Sequence, residues 1–278
     1  MSINWYPGHM VKAKREIKEN LKLVDVVVML LDARAPFSCR NMDLEAIVGN
    51  KPIILVLNKM DLAAPEKVQS YLKTLRSESF AVVPIDSITG KGSKEVLHEL
   101  RKVYKPIADQ MLERGRRVRP ARVMVVGVPN VGKSTFLNCM VGKKIARTGA
   151  KPGVTKGKQW IRVREDIEFM DTPGLMWPKI KDEEQGYKLS LLNIIGENAY
   201  NEYNVALFLI GVLRKIAPEA LQSKFKLDSI DGTSEEVLQA ISRKKGHLVK
   251  GGELNLELTS AVLLNDFRKG NIAHICLD

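Results

Sequence analysis

Gly127-Val-Pro-Asn-Val-Gly-Lys-Ser134 is the stretch that decides the fold. It matches G-x-x-x-x-G-K-[ST] and lies between a β-branched apolar run, Ala121–Val126, and a helix-forming run, Lys133–Val141. In that context the glycines let backbone N–H groups curl around a β-phosphate, and the helix starting near Lys133 aims its positive end at it. Asn130, Val131, Gly132, Lys133, Ser134 and Thr135 are therefore the expected phosphate-binding set. Lys133 would reach the β and γ oxygens, and the Ser134 hydroxyl would ligate Mg2+.

Around this loop, short apolar runs alternate with longer amphipathic ones, the pattern of a parallel sheet wrapped on both faces by helices. Strands are expected at Asp25–Leu31, Pro52–Leu57, Ala81–Ile85, Ala121–Val126, Gln159–Val163 and Ile167–Met170. Helices are expected at Val11–Asn20, Met42–Val48, Pro65–Ser77, Lys91–Glu113 and Lys133–Val141. The remaining motifs follow strands, where open α/β sheets bind ligands. Asn58-Lys-Met-Asp61 follows the second strand, and the Asp61 carboxylate suits the N1–H and exocyclic amine of guanine. Adenine offers neither donor, so GTP is expected over ATP. Asp86-Ser-Ile-Thr-Gly-Lys-Gly92 follows the third strand and fits a further base-contacting loop, with Ser87 bracing Asp61 and the Ile88 N–H facing O6. Asp171-Thr-Pro-Gly174 follows the last strand, placing Asp171 to hold Mg2+ through water and the Gly174 N–H at the γ-phosphate. Between them, Lys151-Pro-Gly-Val-Thr155 offers the Thr155 hydroxyl as second protein ligand to Mg2+.

The base-reading loops thus precede the phosphate loop, the reverse of an ordinary small GTPase, so the fold class expected is a circularly permuted α/β P-loop domain over residues 1–178. After Pro178 the β character stops. Residues 182–195, 199–216, 218–225, 234–244 and 255–268 read as helices, with Thr233-x-x-Glu236 as a capping box and Gly246 and Gly270 as stops. Residues 179–278 form a small all-helical domain on this reading.

The 278 residues carry a formal charge of +12, unevenly placed: residues 1–180 hold 32 Lys/Arg against 18 Asp/Glu, and residues 181–278 hold 12 against 14. The excess on the first part suits a surface meeting a phosphate backbone, or serves solubility. Arg114-Gly-Arg-Arg-Val-Arg119 is either a solvated linker between the permuted halves or an RNA phosphate contact. Cys39, Cys139 and Cys276 are widely spaced, which argues against a metal or disulfide frame. The longest apolar run, Val26–Leu31, is far below the ~18 residues of a spanning helix. No membrane partner and a cytoplasmic location are expected.

Together the five loops resemble the circularly permuted GTPase family, and within it the ribosome biogenesis GTPase A branch. The likeness extends to Trp5-Tyr-Pro-Gly-His-Met10, Asp32-Ala-Arg-Ala-Pro36 and the closing Asp266-Phe-Arg-Lys-Gly270. It implies a GTPase that hydrolyses GTP to GDP during late maturation of the large ribosomal subunit, with the precursor particle and its 23S rRNA as partners, no DNA partner, and rRNA bound by the helical domain. In many GTPases a glutamine after the D-x-x-G turn orients the attacking water; here it is Leu175, which cannot hydrogen-bond water. The resemblance marks His9 as the catalytic histidine, which as a neutral imidazole can order or deprotonate water. Lys133 and Gly174 complete the groups at the γ-phosphate. In GTPases with Asn at this loop position the side chain helps hold K+, so Asn130 is the K+ candidate, or a turn-forming residue beside Pro129. The alternative to an assembly switch is an RNA-binding scaffold that uses GTP as a structural ligand. A membrane-transport GTPase can share the phosphate-loop form but would need a spanning segment.

Overall fold

The computed structural model describes residues 15–77, 79, 81–142, 160–170, 180, 182–196 and 199–278. The chain divides into two compact units between Pro178 and Lys179. In the first unit, residues 15–21 are helical (α1) and lead into strand β1, Val26–Asp32, every residue of which is buried. A run of that kind, apolar up to Asp32, is what a central parallel strand requires. On one side of it lie β2 (Ile53–Asn58) and then β3 (Ala81–Ile85). On the other lie β4 (Ala121–Gly127), β6 (Ile167–Met170) and the edge strand β5 (Trp160–Arg164). All pairings are parallel except β5 with β6. In β5, Ile161 and Val163 point inward while Arg162 and Arg164 are exposed, so this strand alternates where β1 does not.

Each strand lies within one residue of its expected position. The intervening helices α3 (Met42–Val48), α4 (Pro65–Arg76), α5 (Ser93–Glu113) and α6 (Lys133–Val141) follow the expected periodicity. Helix α5 starts at Ser93 rather than Lys91 because Gly92, at φ +94°, sits so close to the Pro84 carbonyl that a Cβ there would collide with it. Two short elements have no periodic signal: the four-residue helix α2 (Pro36–Cys39) and a 3-10 turn at Met60–Leu62.

The permutation requires a joint between α5 and β4, and Arg119 makes it. Its guanidinium donates from both terminal nitrogens to Asp25, at 2.7 and 2.8 Å, and Asp25 also accepts from the Arg122 N–H at 2.9 Å. The Tyr104 hydroxyl donates to the Arg119 carbonyl at 2.8 Å. The hydrogen bonds to Asp25 raise the Arg119 pKa. Of the basic stretch 114–119, Arg119 is therefore structural, while Arg114, Arg116 and Arg117 are exposed.

Apart from an isolated bridge between Leu248 and Leu254, the regular structure among the second unit's described residues is helical, joined by turns and irregular segments: α7 (Glu183–Leu191), α8 (Glu202–Ile216), α9 (Pro218–Phe225), α10 (Ser234–Lys245) and α11 (Leu256–Arg268). Helix α8 packs against the other four and buries Val205, Ala206, Leu209, Ile210 and Leu213. The capping box forms at Thr233 and Glu236, Gly246 caps α10 in the left-handed conformation, and Gly270 follows the end of α11. Arg268 donates to the Ser190 and Leu191 carbonyls and to the Tyr200 hydroxyl at 3.0, 3.1 and 2.6 Å. Its charge is held by the C-terminal end of α7, where carbonyls lack helical partners. Among the described residues no helix is long and apolar enough to cross a membrane, and no group of His, Cys, Asp and Glu is arranged to hold a metal.

The Asp25→Ala variant removes three hydrogen bonds to a charged acceptor at the joint. It should lower unfolding free energy by about 2–3 kcal/mol, read as a lower urea midpoint at unchanged slope.

Candidate functional site

The C-terminal ends of four adjacent strands converge because their registers run level: Asp32 pairs with Asn58, Asn58 with Ile85, and Leu30 with Gly127. Asn58 is 2% exposed and works as a rivet. Its amide donates to the Val131 carbonyl at 2.9 Å, and its Oδ1 accepts from the Ser87 hydroxyl at 2.7 Å. One side chain thus ties the phosphate loop to both base-side loops. Ser87 braces Asn58, not Asp61 as expected, since Asn58 ends β2 directly beside Ile85 of β3. Gly132 makes the approach possible: at φ +102° it faces the Asn58 amide so closely that any Cβ would clash with it.

Lys59 stands in the left-handed conformation at φ 60°, which turns the chain into the 3-10 turn carrying Asp61. Its ammonium lies 3.0 Å from the Asn130 carbonyl and 2.9 Å from Asp32 Oδ2. Asp32 is fully buried, and Arg34 is 2% exposed. Arg34 grips Asp32 with a two-pronged fork, Nε to Oδ1 at 2.9 Å and a terminal nitrogen to Oδ2 at 2.8 Å, and adds its own backbone N–H at 3.1 Å. Burial alone would raise the Asp32 pKa, but the charges and hydrogen bonds of Arg34 and Lys59 outweigh it and hold the carboxyl well below its usual range. For Arg34 burial acts downward, and the Asp32 carboxylate, with smaller contributions from Cys39 and Asp61, raises it. Asp61 is half-buried on the turn.

In the third loop, Asp86 accepts from the N–H groups of Ile88 and Thr89, at 2.8 and 3.3 Å, and from the Thr89 hydroxyl at 2.5 Å. Desolvation opposes these bonds, yet they lower the Asp86 pKa. The Ile88 N–H, expected to face guanine O6, donates to Asp86 instead, because an Asp two residues upstream closes a local turn on it. The Ile88 side chain is 82% exposed.

The phosphate loop has Asn130 in the left-handed region at φ 56° and buries Val131. The Lys133 ammonium is held by the Gly127 and Val128 carbonyls at 3.2 and 2.9 Å, so it sits inside the curl of the loop. Ser134 and Thr135 lie half-buried in the first turn of α6. An anion seated there would meet the ammonium and the positive end of the helix. His9, Thr155, Asp171, Gly174 and Leu175 lie outside the described residues. Sequence reasoning gave no role to Asp32 and Arg34. Their signal is one charged residue, Asp32, ending a seven-residue strand that is otherwise wholly apolar, with Arg34 two residues beyond it.

Residues 122–247 match a family described as 50S ribosome-binding GTPase. The chain is 39% identical to Ribosome biogenesis GTPase A of Priestia megaterium (strain DSM 319 / IMG 1521) over 279 residues, covering 100% of this chain and 97% of that protein. The chain belongs to the ribosome biogenesis GTPase A family. Its fold is similar to that of a GDP-bound structure of TM YlqF, with TM-score 0.68 and 25% identity over 95% of this chain and 98% of the other. It is also similar to GNP-bound YlqF from T. maritima, with TM-score 0.66 and 26% identity over 96% and 97%. As a member of this family, the chain binds guanine nucleotide and hydrolyses GTP.

Asp32→Ala leaves two cations at a buried position without their carboxylate. It should cost about 3–5 kcal/mol of stability and weaken GTP binding through Lys59, measured by chemical unfolding and by titration with a fluorescent GTP analogue.

Proposed function

We propose that this GTPase is an assembly switch for the large ribosomal subunit, docking on the precursor particle and its 23S rRNA in the GTP state and leaving after hydrolysis. The observation that carries the reading is Lys59, whose ammonium links the base-side loop to the Asn130 carbonyl of the phosphate loop at 3.0 Å. A nucleotide spanning the two loops would be held by both ends at once. Asp61 reads the guanine edge, with Asn58, Lys59, Ser87 and Ile88 shaping the base side. Asn130, Val131, Gly132, Lys133, Ser134 and Thr135 hold the phosphates, and Gly174 contacts the γ-phosphate. Ser134 offers a hard oxygen at the first turn of α6, the donor type Mg2+ takes, and Thr155 and Asp171, the latter through water, complete the set. Mg2+ there would neutralise charge building on the phosphate oxygens. Asn130 is the candidate ligand for K+, and His9 the candidate for ordering the attacking water, since Leu175 cannot. The second switch, Asp171–Trp177, runs in sequence almost directly into the helical domain, so release of this loop on loss of the γ-phosphate has a covalent route to it.

Two outcomes are expected. Turnover by the protein alone, with Mg2+ and K+, should be slow and should rise on adding purified large subunits; His9→Ala should cut the stimulated rate by about 100-fold with GTP binding intact. Tight GTP-dependent binding to the particle without stimulation would favour a scaffold that holds GTP as a structural ligand. Asp61→Asn replaces one acceptor by a donor, so GTP affinity should fall by about 100-fold or more while xanthosine triphosphate, with a carbonyl in place of the guanine amine, binds better than it does to the wild type.

A further inference from the structure

At the N-terminal ends of β4 and β6, away from the nucleotide loops, the first unit carries more arginine than its own folding uses. Residues 101–122 and 160–170 together hold ten Lys/Arg against five Asp/Glu. Several of these cations are accounted for: Arg101 pairs with Asp166 at 2.7 Å, Arg119 with Asp25 at 2.7 Å and Arg162 with Glu168 at 3.1 Å. Arg122 lies over the Trp160 ring at 5.2 Å. The carboxylates Asp25, Asp166 and Glu168 are thus each matched by an arginine already. Arg114, Arg116 and Arg117 are exposed, and no ion pair joins them to other described residues. They project from the loop after α5, beside an open groove of about 590 Å3 lined by Arg117, Arg119, Arg162, Glu165 and Asp166. The edge strand β5, which displays Arg162 and Arg164, lies on the same end of the sheet.

Three exposed guanidiniums within four residues give the loop a locally positive potential that attracts polyanions, and the guanidinium fork matches phosphate oxygens in pairs. In the helical unit Arg243, Lys244 and Lys245 are also exposed and consecutive, but they have neighbours within the fold, Arg243 touching Gln239 at 3.4 Å. Lys244 pairs with Asp228 at 3.0 Å, Lys245 lies over the Phe225 ring at 5.6 Å, and Arg268 is held by α7. We propose that Arg114, Arg116 and Arg117, with the groove beside them, form an RNA-backbone contact on the GTPase unit at the end of the sheet opposite the nucleotide. The choice of RNA as the polyanion rests on the ribosomal reading above. The contact is electrostatic and independent of base sequence, so it positions the GTPase unit on the particle without entering GTP chemistry.

The test compares the full-length wild type with R114A/R116A/R117A and with a control of equal charge loss on exposed α4 positions, K67A/K73A/R76A. Binding of each is measured to protein-free 23S rRNA and to large subunits across a salt series, in the presence of a non-hydrolysable GTP analogue. The loop variant should bind both about tenfold more weakly, with its logarithmic salt slope reduced by about 2 for three lost phosphate contacts. Its GTP turnover alone and its thermal midpoint should match the wild type, and the control should bind like the wild type. Unchanged affinity and slope in the loop variant, or an equal fall in the control, overturns the contact while leaving the ribosomal reading standing. A loss on subunits with none on protein-free rRNA overturns it in favour of an acidic protein partner. Failure of the wild type to bind either target sinks both readings.

Discussion

A carboxylate removed completely from water is the constraint around which the nucleotide site is organised. Asp32 ends a strand whose other residues are apolar and buried, and a lone charge there would cost several kcal/mol. It persists because Arg34 supplies a two-pronged fork and a backbone donor, and because Lys59 brings a second cation to 2.9 Å. The geometry that satisfies Asp32 therefore fixes the Lys59 ammonium, and that ammonium reaches across to the Asn130 carbonyl. Beside it, Asn58 spends its amide on Val131 and its carbonyl oxygen on Ser87. The base-side and phosphate loops, far apart in the chain, are thus positioned against one another by Asn58 and Lys59, with Asp32 and Arg34 buried behind Lys59 and Gly132 packed against Asn58.

This arrangement explains why the order of the loops along the chain can be changed without dismantling the site. What the loops require is adjacency of the strands that end in them, and β1, β2 and β4 are neighbours in the sheet whichever is made first. The permutation needs only a joint, and Arg119, Asp25 and the Tyr104 hydroxyl form it at the opposite end of the strands from the nucleotide loops. What permutation does change is the segment that follows the second switch, which in this sequence is the helical domain.

The helical unit shows a different use of charge. Arg268, in the closing Asp266–Gly270 motif, is a structural clamp on the end of α7, and the neighbouring Phe267 is buried. Lysines of α9 and α10 pair with Asp266 and Asp228. Basic residues that look available in a linear reading are partly committed to holding helices together. On the first unit the exposed Arg114, Arg116 and Arg117 lie together in the loop after α5.

Much of this protein follows from its sequence. The positions of the strands, the main helices and the phosphate loop are set by local periodicity, by β-branched runs and by glycines at turns, all of which act over a few residues. The permuted order of motifs and the switch from strand to helix near Pro178 are equally linear facts. Only the tertiary structure decided what the polar residues do to each other: that Ser87 holds Asn58, that the Ile88 N–H is taken by Asp86, that Arg268 caps a helix, and that Asp32 and Arg34 underlie Lys59. Hydrogen bonds and ion pairs act over about 3 Å between groups brought together by sheet register, and no spacing along the chain encodes a distance of that kind across strands.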